Sequence, residues 1–291
     1  GGLIMQGNAL AVNDLTKKYR DFVLDHVSFS VPSGTIVGLI GENGAGKSTT
    51  INAILGLIKK DSGNIEIFGK SDTQTAESIR NQIGVVFDGN SYPDVLSARK
   101  LNRILSKIYQ TWDEHKFFSL LEKMSLPADK KIKQFSKGMK MKLSIAAALS
   151  HDSRLLILDE ATSGLDPVVR DDILDLFLDF VQDENHSILV SSHITSDLEK
   201  AADYIVFIHK GKVVFCKSKD ELRYQYGIIR CGSAQFDAID KDEVIACRKQ
   251  DYEWDVLVAD REKAQKKYPK AVIDPASIDE IMLLYVKGET K

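Results

Sequence analysis

The chain carries short apolar runs that alternate with segments of helical spacing. The runs occupy 35–40, 83–87, 155–159, 187–191 and 204–208. Runs without polar interruption are typical of strands that are buried on both faces of a sheet. The intervening segments 49–60 and 171–181 repeat apolar residues with the spacing of amphipathic helices. This alternation predicts an α/β fold built on a mostly parallel sheet.

Two other regions depart from the alternation. Short strand patterns, separated by turn residues, occupy 10–19, 22–31 and 64–69. They predict an antiparallel portion of the fold. Segment 93–150 has no strand pattern, and its spacing predicts helices over 98–109 and 113–124 with a loop over 126–135. We therefore expect a helical insert within the sheet domain.

The pattern changes again after Gly211. Ser218 with Glu221, and Ser277 with Glu280, have the spacing of a capping box at the start of a helix. Strand-like segments lie between these two helix starts, at 227–231 and 254–260. The C-terminal part therefore resembles a small α/β unit of its own.

We expect two domains. The larger one spans 8–217 and contains the helical insert at about 93–150, and the smaller accessory domain spans 218–291. Residues 1–7 resemble an expression remnant and are left out of the fold prediction.

Composition narrows the class of protein. The 291 residues are 43% hydrophobic and 28% charged, which suits a globular fold and excludes a disordered or collagen-like chain. The 39 Lys and Arg against 42 Asp and Glu give a net charge of −3, and there is no long basic run, so nucleic acid is disfavoured as a partner. No apolar stretch is long enough to span a bilayer, and any membrane contact is therefore expected through a partner.

A phosphate-binding loop follows the first buried strand. Residues 41–48 fit the pattern G-x-x-x-x-G-K-[ST] between a predicted strand and a predicted helix. In such a loop, glycines turn backbone N–H groups toward the phosphates, and the helix N-terminus adds positive potential. Lys47 is expected to reach the β and γ phosphates and Ser48 to bind Mg²⁺. The other candidate nucleotide contacts are Gly41, Asn43, Gly44, Gly46 and Thr49.

Two acids follow a later buried strand. Asp159 ends the run 155–159 and Glu160 follows it, at the edge of an open sheet where ligands bind. Asp159 is suited to hold the Mg²⁺ shell, and Glu160 to orient or deprotonate the attacking water. By itself, such a strand end is also compatible with a solvated turn.

Four further elements occur in a fixed order around these motifs. The segment FSKGM at 135–139, the segment SGLDP at 163–167, His193 and Tyr19 together resemble the ATP-binding cassette (ABC) ATPases. The resemblance covers residues 8 to about 215. It implies a P-loop NTPase fold with a mostly parallel sheet, an antiparallel β portion, a helical subdomain and a small C-terminal α/β appendage.

The resemblance also implies roles for individual residues. Tyr19 would stack on adenine, and His193 would act near Glu160 on the γ phosphate, so that Glu160, His193 and Lys47 form the catalytic set. Ser136, Gly138 and Asp166 would contact nucleotide in an ATP sandwich between two subunits. Without the resemblance, Tyr19 and His193 fit an ordinary surface aromatic and a histidine at a strand end.

The segment that carries Ser136 also has a chemical argument of its own. Ser136 and Gly138 precede a helical run, where a hydroxyl and free N–H groups can bind an anion. Lys137, Lys140 and Lys142 crowd the same helix end and oppose its macrodipole, a conflict that a bound anion would relieve. A basic, solvated helix start is the alternative.

Two segments depart from the family pattern, the signature and the loop after strand 83–87. Lys137 and Met139 stand where ABC ATPases often have Gly and Gln, and Asp88 replaces the Gln expected after strand 83–87. An ionised Asp accepts hydrogen bonds but donates none, so the usual coupling role is in doubt. Asp88 is kept as a candidate for metal or water contact.

The resemblance implies an ATP-binding and ATP-hydrolysing subunit that powers a membrane transporter, similar to the ABC-2-type exporters. Its cofactors would be ATP and Mg²⁺. Its partners would be an integral membrane permease and a second nucleotide-binding subunit, in a homodimer or a heterodimer, at the cytoplasmic face of the cell membrane. The alternative is a soluble ABC-type switch in translation or DNA repair, which typically has tandem cassettes or a long coiled coil. A small-molecule kinase would share the phosphate loop but gives no reason for FSKGM and SGLDP.

Overall fold

The computed structural model describes residues 7–71, 77–89, 91–251 and 253–290. Residues 1–6 of the suspected expression remnant lie outside this part. The strands are β1 (Asn8–Lys18), β2 (Val23–Pro32), β3 (Ile36–Ile40), β4 (Ser62–Ile67), β5 (Lys70–Ser71), β6 (Ile83–Phe87), β7 (Leu155–Asp159), β8 (Ser187–Ser192), β9 (Tyr204–His209), β10 (Lys212–Ser218), β11 (Gly227–Cys231), β12 (Val244–Lys249), β13 (Trp254–Val258), β14 (Val272–Pro275) and β15 (Glu289–Thr290). The helices are α1 (Lys47–Ile54), α2 (Glu77–Arg80), α3 (Ala98–Ile108), α4 (Glu114–Lys123), α5 (Lys137–Leu149), α6 (Pro167–Phe180), α7 (Thr195–Ala201), α8 (Lys219–Gln225), α9 (Ser233–Asp237), α10 (Arg261–Lys267) and α11 (Ile278–Lys287).

The predicted parallel sheet is present. Its order is β10-β9-β3-β8-β7-β6, and only the edge strand β10 runs antiparallel to its neighbour. All of β3 and β8 is buried, as the uninterrupted apolar runs predict. Every apolar run of the sequence thus becomes a strand of this sheet.

The antiparallel portion is also confirmed. It is a separate sheet of order β2-β1-β4-β5 with antiparallel pairing. One hydrophobic cluster joins it to the parallel sheet, because Leu10, Leu24 and Ile65 pack in the same core as Val37 and Leu189. The phosphate loop lies where these two layers meet, since Gly46 faces Leu24 and Phe22 of the antiparallel layer.

The helix predicted over 49–60 is wrong in its bounds. Helix α1 begins at Lys47 and ends at Ile54, with Leu55 at its C-terminal cap. Gly56 follows with a φ of 70°, the left-handed conformation in which helices commonly end. The apolar side chains of Leu57 and Ile58 continue the helical spacing without continuing the helix, and Leu57 is exposed.

The insert at 93–150 is helical, as the sequence predicts. Within 93–150, all of it described, the regular structure is α3, α4, α5 and one 3-10 turn (Ile132–Gln134), and the only β pairing is an isolated bridge between Ser97 and Lys131. Phe117, Leu121 and Met141 pack in the hydrophobic core that also covers one face of the parallel sheet. The insert therefore holds the start of α5 next to the strand ends.

The C-terminal part has its own antiparallel sheet of order β14-β11-β13-β12-β15. Ser277 and Glu280 form the predicted reciprocal capping box at the start of α11. At α8, the Ser218 hydroxyl accepts a hydrogen bond from the Glu221 N–H. Tyr285 of α11 contacts Phe207 of β9, with ring centroids 5.9 Å apart, so this unit packs directly on the parallel sheet.

Candidate nucleotide site

The carboxyl ends of the parallel strands bring the candidate site residues together. In register, Ile40 pairs with Ser192, and Asp159 pairs with both Ser191 and Phe87. The residues that come next in the sequence therefore share one edge of the sheet. They are Gly41, Asp88, Glu160 and His193. Backbone register alone accounts for this convergence.

The phosphate loop depends on its glycines. Gly44 and Gly46 have φ values of 82° and 114°, a conformation that side chains other than hydrogen rarely allow. At Gly41, a Cβ would lie 2.4 Å from the Ile208 carbonyl oxygen, so the loop passes too close to β9 for any other residue. Helix α1 follows directly and directs its N-terminus toward the loop.

Lys47 is buried at the base of this loop. Its Nζ donates hydrogen bonds to the carbonyl oxygens of Gly41 (2.8 Å) and Glu42 (3.3 Å). The same atom lies 3.3 Å from Glu160 Oε1. The ammonium is therefore held by the loop and faces the carboxylate that follows β7.

A cleft of about 580 Å³ opens beside the loop. Its walls combine phosphate-loop residues, the two strand-end acids Asp88 and Glu160, and His193. The lining residues are Phe22, Asn43, Gly44, Gly46, Lys47, Ser48, Thr49, Asp88, Glu160, Ser163 and His193. Most of the residues that the sequence predicts to bind nucleotide therefore line this one cleft.

Ser191 holds the two acids after β7, a role that the sequence did not reveal. Its hydroxyl donates to Asp159 Oδ1 at 2.5 Å and accepts a hydrogen bond from the Glu160 N–H at 3.0 Å. Glu160 has a φ of 54°, which costs about 1–2 kcal/mol for a residue with a Cβ. The two hydrogen bonds stabilise this turn. As a result, the Asp159 carboxylate faces Ser191, whereas the Glu160 carboxylate faces Lys47 and His193. A serine ending a hydrophobic strand was the available signal.

Glu160 stands between two nitrogen donors. His193 Nδ1 lies 2.5 Å from Oε2, and Lys47 Nζ lies 3.3 Å from Oε1. This placement of His193 beside Glu160 was predicted and is confirmed. The arrangement gives the carboxylate a fixed orientation at the mouth of the cleft, as a base that positions water requires.

The donor set near the loop fits Mg²⁺. Asp159 is oriented by Ser191, and the Ser48 hydroxyl is exposed to the cleft. Within the described ranges no cluster of three or more His, Cys, Asp or Glu side chains could hold a metal. Mg²⁺ usually needs no such cage, because it binds one or two protein ligands together with substrate phosphates and waters. The residues present are therefore compatible with a nucleotide-bound Mg²⁺.

The signature residues lie outside their own chain's cleft. The Ser136 hydroxyl caps α5 by accepting the Met139 N–H at 3.2 Å, and Asp166 caps α6 by accepting the Val169 N–H at 3.0 Å. Gly138 is buried against Val169, where a Cβ would come within 3.0 Å of Cγ1. Ser136 and Asp166 are exposed, so nucleotide contact by these residues requires another subunit and stays a prediction.

Each lysine at the start of α5 has a carboxylate partner. Lys137 pairs with Asp88 (3.0 Å), Lys140 with Asp94 (2.9 Å) and Lys142 with Asp172 (2.7 Å). The conflict with the helix macrodipole, which the sequence suggested an anion would relieve, is therefore offset within the chain.

The aromatic residue at the cleft is Phe22. Tyr19 is 46% exposed and lies under Lys17, outside the cleft lining, so its stacking role stays a prediction. An adjoining pocket of about 370 Å³ shares Phe22, Asn43 and Gly44 with the cleft. This pocket also contains Asp25, and hydrogen bonds from His26 and Lys212 lower the pKa of its carboxyl group.

A mostly parallel sheet whose phosphate loop faces an Asp-Glu pair defines a P-loop nucleoside triphosphatase. The family model of the ABC transporter matches residues 24–163. The chain is 39% identical over 208 residues to the bacitracin transport ATP-binding protein BcrA of Bacillus licheniformis, covering 70% of this chain and 68% of that protein. It therefore belongs to the family of ABC transporter ATP-binding proteins and is an ATPase subunit.

Another relative and a solved structure support the same family. The lantibiotic transport ATP-binding protein SrtF of Streptococcus pyogenes is 36% identical, with 72% of this chain and 91% of that protein covered. A solved ATP-binding subunit of an ABC transporter is 31% identical with a TM-score of 0.65, covering 74% of this chain and 92% of that one. A dimeric ATP-binding cassette bound to ADP and phosphate shares the fold, with 21% identity, a TM-score of 0.63, and 72% and 98% coverage. The names of these relatives describe ATP-binding subunits of transporters.

Proposed function

We propose that the chain powers an exporter of peptide antibiotics or similar amphipathic compounds, with ATP and Mg²⁺ as cofactors. The observation that carries the ATPase part is the placement of Glu160 between Lys47 and His193 beside the phosphate loop. The transport part is supported by the relatives, whose names refer to bacitracin and lantibiotic transport.

The residues of the cleft suggest a sequence of events. An arriving polyphosphate competes with Glu160 for Lys47, because both are anions within reach of the same buried ammonium. Glu160, released on that side and still held by His193, can accept a proton from a water beside the γ phosphate. In its Nε2–H form, with Nδ1 accepting a hydrogen bond from the protonated Glu160 carboxyl group, His193 can then donate a hydrogen bond to the charge that develops on the phosphate oxygens.

Ser48 and Asp159 are the residues that would hold Mg²⁺ in this cleft. When bound, the ion neutralises phosphate charge and fixes the orientation of the polyphosphate. Asp88 faces the same space, and its contact with the metal or with its waters stays a proposal.

A second nucleotide-binding subunit is part of the proposal. Ser136 caps the N-terminus of α5 on an exposed surface, and the neighbouring N–H groups are suited to an anion from another molecule. A relative of the same fold was solved as a dimer with ADP and phosphate. One chain contains the phosphate loop, Glu160 and the signature, so a homodimer would have two complete sites. A heterodimer is the alternative.

The remaining proposals concern the membrane. The helices of the described ranges include none with the length and apolar character that a bilayer span requires. We assign the chain to the cytoplasmic face of the cell membrane, bound to an integral permease of the ABC-2 type. The division into an ATPase domain (8–217) and an accessory domain (218–291) belongs to the same proposal, and it falls at the end of β10.

Two measurements test this function. Calorimetry with Mg²⁺ and ATP should detect binding that Lys47→Met abolishes or greatly weakens, since Lys47 is the cation in the loop. Purification of the full chain from its own membranes should recover an integral protein, and loss of the gene should lower tolerance to a peptide antibiotic. Absence of ATP binding would refute the ATPase site, and copurification with ribosomes or DNA repair proteins in place of a permease would favour the soluble switch.

A further inference from the structure

Asp88 and Lys137, two of the three positions at which the sequence departs from its family, contact each other. Asp88 Oδ1 lies 3.0 Å from Lys137 Nζ, and both side chains are close to half exposed. Asp88 follows β6 and lines the nucleotide cleft, whereas Lys137 is the first residue of α5 and comes directly after Ser136. One ion pair therefore joins the wall of the cleft to the signature helix.

A third segment lies beneath this pair. A Cβ at Gly164 would come within 3.0 Å of Lys137 Nζ, and Gly164 has a φ of 66°. The lysine side chain thus extends over the turn between Glu160 and α6, and this turn includes Ser163 of the cleft lining. A side chain at position 164 would press on this ammonium group, which would have to shift by a few tenths of an ångström.

We propose that Asp88 is a positioning residue that acts through Lys137. The pair holds the cleft wall, the 163–166 turn and the first turn of α5 in one arrangement, and it sets the charge that the cleft presents to a polyphosphate. Each departure compensates the other, because the carboxylate that replaces a neutral amide is neutralised by the ammonium that replaces a glycine. The inference about nucleotide affinity rests on the proposed ATP site, and the inference about the turn does not.

The charges of Asp88 and Lys137 should have opposite effects on nucleotide affinity. Without Lys137, the Asp88 carboxylate stays in the cleft unpaired and repels phosphate. Without the Asp88 charge, Lys137 becomes available to attract phosphate. The two single substitutions should therefore change nucleotide affinity in opposite directions, which loss of local structure would not do.

Calorimetry with adenylyl imidodiphosphate in EDTA, without Mg²⁺, tests this on the full chain, so that a contact between Asp88 and the metal does not enter the measurement. Lys137→Met should raise the Kd about twofold to fivefold, the range expected of an exposed ion pair, and Asp88→Asn should lower it by a similar factor. The double variant should return to within about twofold of the wild type. Lys142→Met and Asp172→Asn break a similar pair between α5 and α6, away from the cleft, and should leave the Kd unchanged. Equal weakening by both Lys137→Met and Asp88→Asn would overturn the charge argument.

Hydrogen exchange in the nucleotide-free protein tests the turn independently. Amides in 161–166 should exchange about twofold to fivefold faster in Lys137→Met and in Asp88→Asn than in the wild type or in Lys142→Met. Unchanged exchange in both variants would overturn the positioning role even if the chain binds nucleotide. Faster exchange in a chain that fails to bind the nucleotide analogue would support the positioning role and refute the proposed ATP site.

Discussion

His193 Nδ1 lies 2.5 Å from Glu160 Oε2, across the boundary between two adjacent parallel strands. Both residues follow the last residues of their strands, so the register of β7 and β8 sets this distance. With Oε2 taken by His193, the other carboxylate oxygen faces Lys47. The carboxylate that we propose as the catalytic base is thus oriented by the fold before any nucleotide arrives.

Glu160→Gln should slow ATP turnover by about 10²-fold or more, because the amide cannot accept a proton from water. Nucleotide binding should persist, since the phosphate loop is unaltered. Phosphate release under saturating ATP is the measurement, with Glu122→Gln on the exposed face of α4 as the control. Near-normal turnover would remove Glu160 from its assigned role.

Ser191→Ala should reduce ATP turnover about tenfold to 100-fold, because the hydroxyl orients the groups that contact the reactants. The variant removes the hydrogen bond to Asp159 and the one from the Glu160 N–H. Ser192→Ala is the matched control, because its hydroxyl contacts the backbone of Ile194. Equal losses in both variants would point to a general disturbance of β8.

Ser136→Arg should abolish ATP-driven dimerisation. A large cation at the exposed start of α5 removes the serine cap and fills the surface where a second subunit's nucleotide is expected. Light scattering with and without ATP, in the Glu160→Gln background to prevent turnover, reports the change in mass. A variant that dimerises as the parent does would contradict the sandwich arrangement.

The aromatic contact with nucleotide can be assigned by two substitutions. Phe22→Ala should weaken ATP binding several-fold through loss of stacking or apolar contact, since Phe22 lines the cleft. Tyr19→Ala reports on the family role that the sequence predicts. If only Tyr19→Ala weakens binding in calorimetry, the chain must rearrange around nucleotide so that Tyr19 reaches it.

Burial gives the protein a pH-dependent stability. Burial lowers the pKa of His151, which stacks on Tyr109 and contacts the Asn81 carbonyl oxygen through Nδ1. The unfolded chain therefore binds a proton at higher pH than the folded one, so stability falls as pH decreases below about 6.5. Denaturant unfolding at pH 7 and pH 5 should show this loss, and His151→Phe should reduce the difference. An unchanged difference would assign the pH dependence to other groups.

The sequence predicts most of the fold for a physical reason. Strands buried on both faces must be uninterrupted apolar runs, and each such run became a strand of the parallel sheet. The end of α1 was missed because the apolar spacing continues past Gly56, although the chain leaves the helix there.

The sequence predicts those parts of the site whose position depends only on a local motif or on the end of a strand. The phosphate loop and the strand-end acids need only local spacing and register. The roles of Ser191 and Phe22, and the pairing of Asp88 with Lys137, depend on contacts between segments distant in sequence. Local patterns carry no information about such contacts, so these residues emerged only from the structure.

Tyr285 packs on Phe207 and Phe215 at the edge of the parallel sheet, with centroid distances of 5.9 and 6.0 Å. A truncation after Ser218 would remove Tyr285. Phe207 and Phe215 would then form an exposed apolar patch at the edge of the parallel sheet. A protein truncated at this boundary is therefore expected to aggregate, so biochemical work on the nucleotide-binding part should retain the C-terminal segment.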